Sequence, residues 1–159
     1  MKNHRFVSLM ATAALAGGVI LSPAQAQAAE AGPIPAGVVQ DGSFQANQPT
    51  IVVGENGMTS RSFCPDRAFT AVVTLSTSVP GCNVIGTAAS AKVTYKWYKH
   101  MGNSNPCIWG KGFDSKAKPA WTELGCGTGR TKAVGWGKVA ASKQIRGLTG
   151  VGWAGVQWS

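Results

Sequence analysis

Lys92-Val93-Thr94-Tyr95-Lys96-Trp97-Tyr98-Lys99-His100 is the most strand-like run in the chain and the most concentrated in cations and aromatics. Successive side chains of a β-strand point to opposite faces. Lys92, Thr94, Lys96, Tyr98 and His100 then line one face, while Val93, Tyr95 and Trp97 line the other. The second face reads as core and the first as solvent or ligand. Two cysteines, Cys64 and Cys82, precede the run, and two, Cys107 and Cys126, follow it.

The flanking sequence repeats the β signal. Thr50-Ile51-Val52-Val53-Gly54 is β-branched and ends in a turn at Glu55-Asn56-Gly57, where Asn-Gly is the strongest local turn signal. Residues 60–64 read as a short return strand. Residues 69–76 alternate, with Phe69, Ala71, Val73 and Leu75 on one face and Thr70, Thr74 and Ser76 on the other, although Val72 breaks the pattern. Residues 83–86, 107–109 and 121–124 are further short strand candidates, the last before a glycine-rich turn at 125–129. The Lys-rich, Gly/Pro-punctuated segment 110–120 reads as an exposed connection.

Val134-Gly135-Trp136-Gly137-Lys138-Val139 and Val151-Gly152-Trp153-Ala154-Gly155-Val156 share a V-G-W-x-x-V pattern. Two copies do not make a repeat architecture. They read instead as neighbouring strands of a hairpin centred on residues 143–146, with Trp136 opposite Trp153.

No stretch sustains a 3.6-residue apolar period. Short β-rich runs separated by turn signals imply an all-β fold, a small disulfide-stabilised antiparallel sandwich or barrel. An immunoglobulin-like sandwich is compatible with this strand density. The Cys…Trp…Cys layout of that fold is not clean, because Trp97 lies between Cys82 and Cys107 in too short a run.

The chain has 159 residues and a formal net charge of +9. Its N-terminus has the layout of a secretory signal peptide: a basic Met1–Arg5, an apolar stretch from Phe6 to Leu21, and small-residue cleavage sites after Ala26 or Ala28. The apolar stretch is short for a membrane span. Cleavage after Ala28 leaves 131 of the 159 residues, with 13 Lys+Arg against 6 Asp+Glu, a net of +7. The expected organisation is therefore a signal peptide over 1–28, a flexible leader over 29–48 and a single β domain over 49–159. The leader is rich in Ala, Gly, Pro and Gln, with few large apolar residues to order it. The one ordered alternative within it is a short edge strand at 37–40.

An even number of cysteines in an exported chain implies disulfides, and a secreted, extracellular location. The spacings of 18, 25 and 19 residues contain no Cys-x-x-Cys unit, and His100 is the only histidine after the signal peptide, which argues against a zinc site. Cys64–Cys82 with Cys107–Cys126 closes two short loops and is the preferred pairing. The interleaved pairing, Cys64–Cys107 with Cys82–Cys126, stays open on sequence alone.

The functional signal is one of composition. From Lys92 to Lys143 there are 10 Lys or Arg against only Asp114 and Glu123, interleaved with Tyr95, Trp97, Tyr98, Trp109, Phe113, Trp121 and Trp136. A basic surface draws anionic partners with a strong salt dependence, and aromatic faces stack on sugars or bases. The candidate binding residues are Lys96, Tyr98, Lys99, His100, Trp109, Lys111, Arg130 and Lys132. The expected function is non-catalytic binding of anionic cell-envelope or extracellular polymers, with no metal and no small-molecule cofactor. The competing bland reading is that the tryptophans are core and the lysines keep the protein soluble.

Two other classes carry weaker signals. A secreted antagonist would be either membrane-active or a protease inhibitor that acts on a protein partner and displays Arg67 from the disulfide-anchored Cys64-Pro65-Asp66-Arg67 loop. A small hydrolase would combine His100 with Asp66, Asp114 or Glu123 and a serine, or, as a nuclease, use Glu123 as base, His100 as acid and Arg130 or Lys96 on the phosphate, but no Gly-x-Ser-x-Gly or His-Glu-x-x-His motif is present. The Gly125–Lys132 stretch lacks the spacing of a phosphate loop.

Overall fold

A computed structural model describes residues 33–58 and 64–159. The expected signal peptide, the first four leader residues and most of the expected strand at 60–64 lie outside the described residues. Among the described residues there are thirteen strands and no helix. In chain order they are β1 (Val39–Gln40), β2 (Thr50–Gly54), β3 (Gly57–Met58), β4 (Arg67–Ala71), β5 (Ser76–Thr77), β6 (Asn83–Gly86) and β7 (Lys92–Gly102). β8 (Pro106–Phe113), β9 (Pro119–Cys126), β10 (Gly129–Gly135), β11 (Val139–Ser142), β12 (Ile145–Thr149) and β13 (Ala154–Trp158) follow.

β7 is the longest strand, and its burial alternates as its sequence demands. Val93, Tyr95 and Trp97 are buried, while Lys92, Thr94, Lys96 and Tyr98 are exposed. It is central in an antiparallel sheet of order β10-β7-β13-β4. A second antiparallel sheet, β5-β12-β8-β9, faces it. Ile108, Leu124 and Ile145 of the second sheet share one core with Phe69, Tyr95, Trp97, Val134, Val156 and Trp158 of the first. The two sheets approach closely because β8 carries glycines on its inner face. A Cβ on Gly110 would lie 3.0 Å from the Tyr95 ring, and one on Gly112 would lie 2.5 Å from the Gly135 carbonyl oxygen. The Tyr95 hydroxyl donates to the Lys111 carbonyl at 2.8 Å, which satisfies the one polar atom that this ring buries.

The third sheet has the order β1-β11-β6-β2-β3 and adds Ile51, Val53, Val84, Val139 and Ala141 to the core. It is mixed: β2 runs parallel to β6 and β1 parallel to β11. The antiparallel expectation thus holds for the two four-stranded sheets, while a sandwich-like all-β arrangement describes the whole. The disulfides are Cys64–Cys82 and Cys107–Cys126, the local pairing. Cys107 and Cys126 are direct cross-strand partners on β8 and β9.

Four expectations are corrected. Described residues of the leader are not loose: Val39 N–H donates to Lys138 O at 2.9 Å, and the Ser142 hydroxyl donates to Ser43 O at 2.6 Å. The buried Asn83 amide also donates to Gln45 O. Polar contacts to groups distant in sequence hold the segment, which composition cannot reveal. The segment 110–120 is mostly strand, and only residues 114–118 form the turn, closed by the Asp114 carboxylate on the amides of Lys116 and Lys118. The strand expected over 69–76 ends at Ala71, leaving Val73 and Leu75 exposed rather than in the core. Trp136 and Trp153 do not face each other. Trp136 is fully buried, edge-on to Phe113 with centroids 5.0 Å apart, and its indole N–H donates to Val139 O. Trp153 stands exposed in the β12–β13 loop.

Candidate functional site

The outward face of the β10-β7-β13-β4 sheet presents exposed cations from its central strand. Strand alternation puts Lys92, Thr94, Lys96 and Tyr98 on it, and His100 at its far end is also exposed. At ~3.4 Å per residue, Lys92 and Lys96 stand roughly 13–14 Å apart along the strand. Cross-strand register sets Thr131 of β10 opposite Lys96, Ala133 opposite Thr94, and Gln157 of β13 opposite Tyr98. The Tyr98 hydroxyl donates to Gln157 Oε1, which fixes the ring against the sheet. Lys99 does not join this face: it pairs with the buried Val156 on the other side of the sheet and is half-buried there, its amide donating to Thr128 O and its ammonium reaching Asn105 Oδ1 at 3.5 Å. Beyond Lys92 the face opens into a cleft of about 390 Å³ lined by Glu55, Gly57, Ser90, Lys92 and Thr94.

The other expected binding residues do not join this face. Arg130 and Lys132 pair in register with Trp97 and Tyr95, so they lie on the opposite side of the sheet. They remain exposed because β10 is an edge strand that reaches past the core. The Arg130 side chain lies along Gly125, and the Lys132 ammonium donates to Glu123 O at 2.8 Å. Trp109 belongs to the outer face of the second sheet. There the Arg146 guanidinium, its cross-strand partner, lies 5.9 Å from the Trp109 ring centroid and 4.8 Å from that of Trp121. Cation–π packing of this kind holds a planar guanidinium flat on aromatic faces. Arg146 and Trp121 were missed by sequence reasoning because only the register of β12, β8 and β9 brings them together.

Lys111 is withdrawn from solvent altogether, which corrects its assignment to a binding surface. It is 5% exposed, with its ammonium 2.9 Å from both Asp41 Oδ1 and Ser43 Oγ. Burial works to raise the Asp41 pKa, but hydrogen bonds from Ser43 and Lys111 outweigh it and hold the carboxyl below its ordinary value. The pair clamps the 33–48 segment to β8. Lys143 is buried as well; its ammonium donates to Thr94 O at 2.9 Å and sits 4.5 Å from the Tyr95 ring centroid. Burial pushes its pKa down to about 7 and pushes the Tyr95 hydroxyl up.

Among the described residues, the side chains named for the catalytic and inhibitory alternatives stand apart from one another. His100 lies on the first sheet, whereas Glu123 lies on β9 of the second and Asp114 caps the β8–β9 turn. Among the described residues no cluster of His, Cys, Asp and Glu is suited to hold a metal ion. Arg67 is not displayed on a loop. It opens β4 opposite Trp158, is half-buried, and its guanidinium donates to Gln48 Oε1 at 2.7 Å.

No protein-family model matches the chain, and neither a curated protein nor a solved structure matches it.

Proposed function

We propose that the protein is an exported, non-catalytic binding protein that holds anionic cell-envelope or extracellular polymers on the outer face of the β10-β7-β13-β4 sheet. The observation that carries this reading is the row Lys92, Thr94, Lys96, Tyr98 and His100, exposed along one side of the longest strand. No carboxylate among the described residues lies on β7, β10 or β13. A rigid sheet holds these cations at fixed spacing, which lowers the ordering cost of binding a repeating polyanion. Tyr98, held by Gln157, supplies an apolar ring beside the charges. Export rests on the N-terminal sequence pattern together with the two disulfides, which are typical of extracytoplasmic proteins.

The test is co-sedimentation of the oxidised protein with isolated cell-wall material across a salt series, compared with Lys92→Glu/Lys96→Glu. Each neutralised phosphate contact adds about 0.7–0.9 to the slope of log K against log salt, so losing both lysines lowers the slope by roughly 1.5. Affinity at low salt falls at least about tenfold, since two charge reversals each remove on the order of 1 kcal/mol. No binding by the wild type at low salt, or an unchanged slope in the double variant, sinks the reading.

A further inference from the structure

One end of the two-sheet sandwich is made only of loops. The register β4–β13, β7–β13, β8–β12 and β8–β9 brings the C-terminal ends of β4, β7, β9 and β12 together with the N-terminal ends of β8, β10 and β13. The connections 72–75, 103–105, 127–128 and 150–153 therefore cluster there. Loops at such a place are ordinarily polar. Here they and the last turn of β7 carry six exposed large apolar side chains: Val72, Val73, Leu75, Met101, Val151 and Trp153. Only three other large apolar residues are described as exposed: Val39, Val79 and Tyr98. Val151 is 74% exposed and Trp153 43%.

These side chains are held outward by the backbone beneath them. Thr149 N–H donates to Val72 O at 2.8 Å, and the Thr149 hydroxyl donates to Gly152 O at 2.9 Å. The Ser104 hydroxyl donates to Val151 O, and Trp153 N–H donates to Asn103 Oδ1 at 3.3 Å. Gly152 takes a positive φ of 63° over the Asn103 side chain, a conformation that bends the loop so that Val151 and Trp153 both project. Charge accompanies the apolar tip. None of the four loops contains an acid, and Lys99 and Arg130 stand on the strands immediately behind them.

We propose that this end of the molecule docks on an anionic lipid bilayer, with Val72, Val73, Leu75, Met101 and Val151 entering the acyl boundary and Trp153 at the headgroup level. A fixed apolar cluster rimmed by cations matches the two layers of such a surface: hydrocarbon below and negative headgroups above. A preordered tip loses little conformational entropy on insertion. The inference is independent of polymer binding, because Lys92 and Lys96 lie toward the opposite end of β7.

The test uses the oxidised protein with vesicles of phosphatidylcholine alone and of phosphatidylcholine mixed with phosphatidylglycerol. Flotation measures binding, and acyl-brominated lipids report tryptophan depth by quenching. The wild type is expected to float with the phosphatidylglycerol vesicles and to be quenched, with the quenching lost in Trp153→Phe. Val151→Asp and Val73→Asp, at exposed positions where folding is retained, are each expected to weaken binding at least about tenfold. Lys92→Glu/Lys96→Glu leaves the quenching in place, which separates this surface from the sheet face. The inference is overturned if the wild type does not bind phosphatidylglycerol vesicles, or if Val151→Asp binds as the wild type does. It is equally overturned if quenching persists in Trp153→Phe, or if the protein in solution is a dimer that Val151→Asp dissociates.

Discussion

Replacing Lys143 with methionine isolates the most unusual electrostatic feature of the core. The Lys143 ammonium is buried, hydrogen-bonded to Thr94 O and stacked on Tyr95, with its pKa pushed down to about 7 by burial. In the unfolded chain the same amine titrates near its ordinary value, about 10.4. Below pH 7 both states hold the proton and the group adds no slope. From there to the unfolded value only the unfolded chain holds it, so stability rises with pH by ~1.4 kcal/mol per unit. The Tyr95 face favours the ammonium by ~1 kcal/mol, which moves the onset up by somewhat less than one pH unit. Between pH 6 and 9 the wild type is therefore expected to gain about 2 kcal/mol from this residue. Above about pH 10 the unfolded tyrosine ionises while buried Tyr95 does not, and stability falls again. Urea titrations of wild type and Lys143→Met at intervals from pH 6 to 9 read the difference directly, since all other titrating groups cancel. The variant should lead by most at pH 6, and its lead should shrink by about 2 kcal/mol at pH 9. A difference that stays constant across this range means that the ammonium is solvated in the native state, and the reasoning fails.

Two further outcomes follow from the packing. Asp41→Ala leaves the Lys111 ammonium buried without its carboxylate and should cost about 3 kcal/mol in urea unfolding at neutral pH. Because the folded Asp41 pKa is lowered, that difference should disappear as acid protonates the wild-type carboxyl; a loss below ~1 kcal/mol at pH 7 would show the pair to be screened by solvent. Gly86→Ala would place a Cβ 1.8 Å from the Gly137 carbonyl oxygen and 2.9 Å from the Trp136 ring, so a loss of about 3 kcal/mol or more is expected, with a changed near-ultraviolet signal from Trp136. Gly42→Ala, which meets nothing within 4 Å, serves as the control and should stay within ~0.5 kcal/mol.

Much of the architecture was legible in short-range pattern. Period-two alternation in the Lys92–His100 run correctly separated Val93, Tyr95 and Trp97 from the exposed lysines, because one strand between two environments records both in its own sequence. The turn after β2, formed by Glu55 and Asn56 with Gly57 already paired to Gly54, followed from an equally local signal, whereas cysteine spacing only favoured the local disulfide pairing and the structure decides it. The placement of the candidate residues was only partly legible. Lys96, Tyr98 and His100 share a strand, so their common face could be read, whereas Arg130 and Lys132 took their side of the sheet from the register of β10 on β7.

Lys111 shows the limit most clearly. A lysine in a Gly/Pro-punctuated, basic segment looks solvated, and only the return of Asp41 from seventy residues away buries it. The Val72–Leu75 stretch shows the same limit in reverse. Val73 and Leu75 continue the alternation of β4, but the strand's partner β13 begins at Ala154 opposite Ala71, so pairing stops and the apolar side chains are left in a loop.

By itself the sequence determined an all-β chain with two disulfides and a strand with one cationic and one apolar, aromatic face, because alternation, turn residues and cysteine spacing act over a few residues. The tertiary structure alone decided which cations remain exposed, that Arg146 lies on Trp109 and Trp121, and that apolar loop tips gather at one end. Those outcomes depend on cross-strand register and on contacts between residues far apart in the chain, and neither leaves a periodic trace in the sequence.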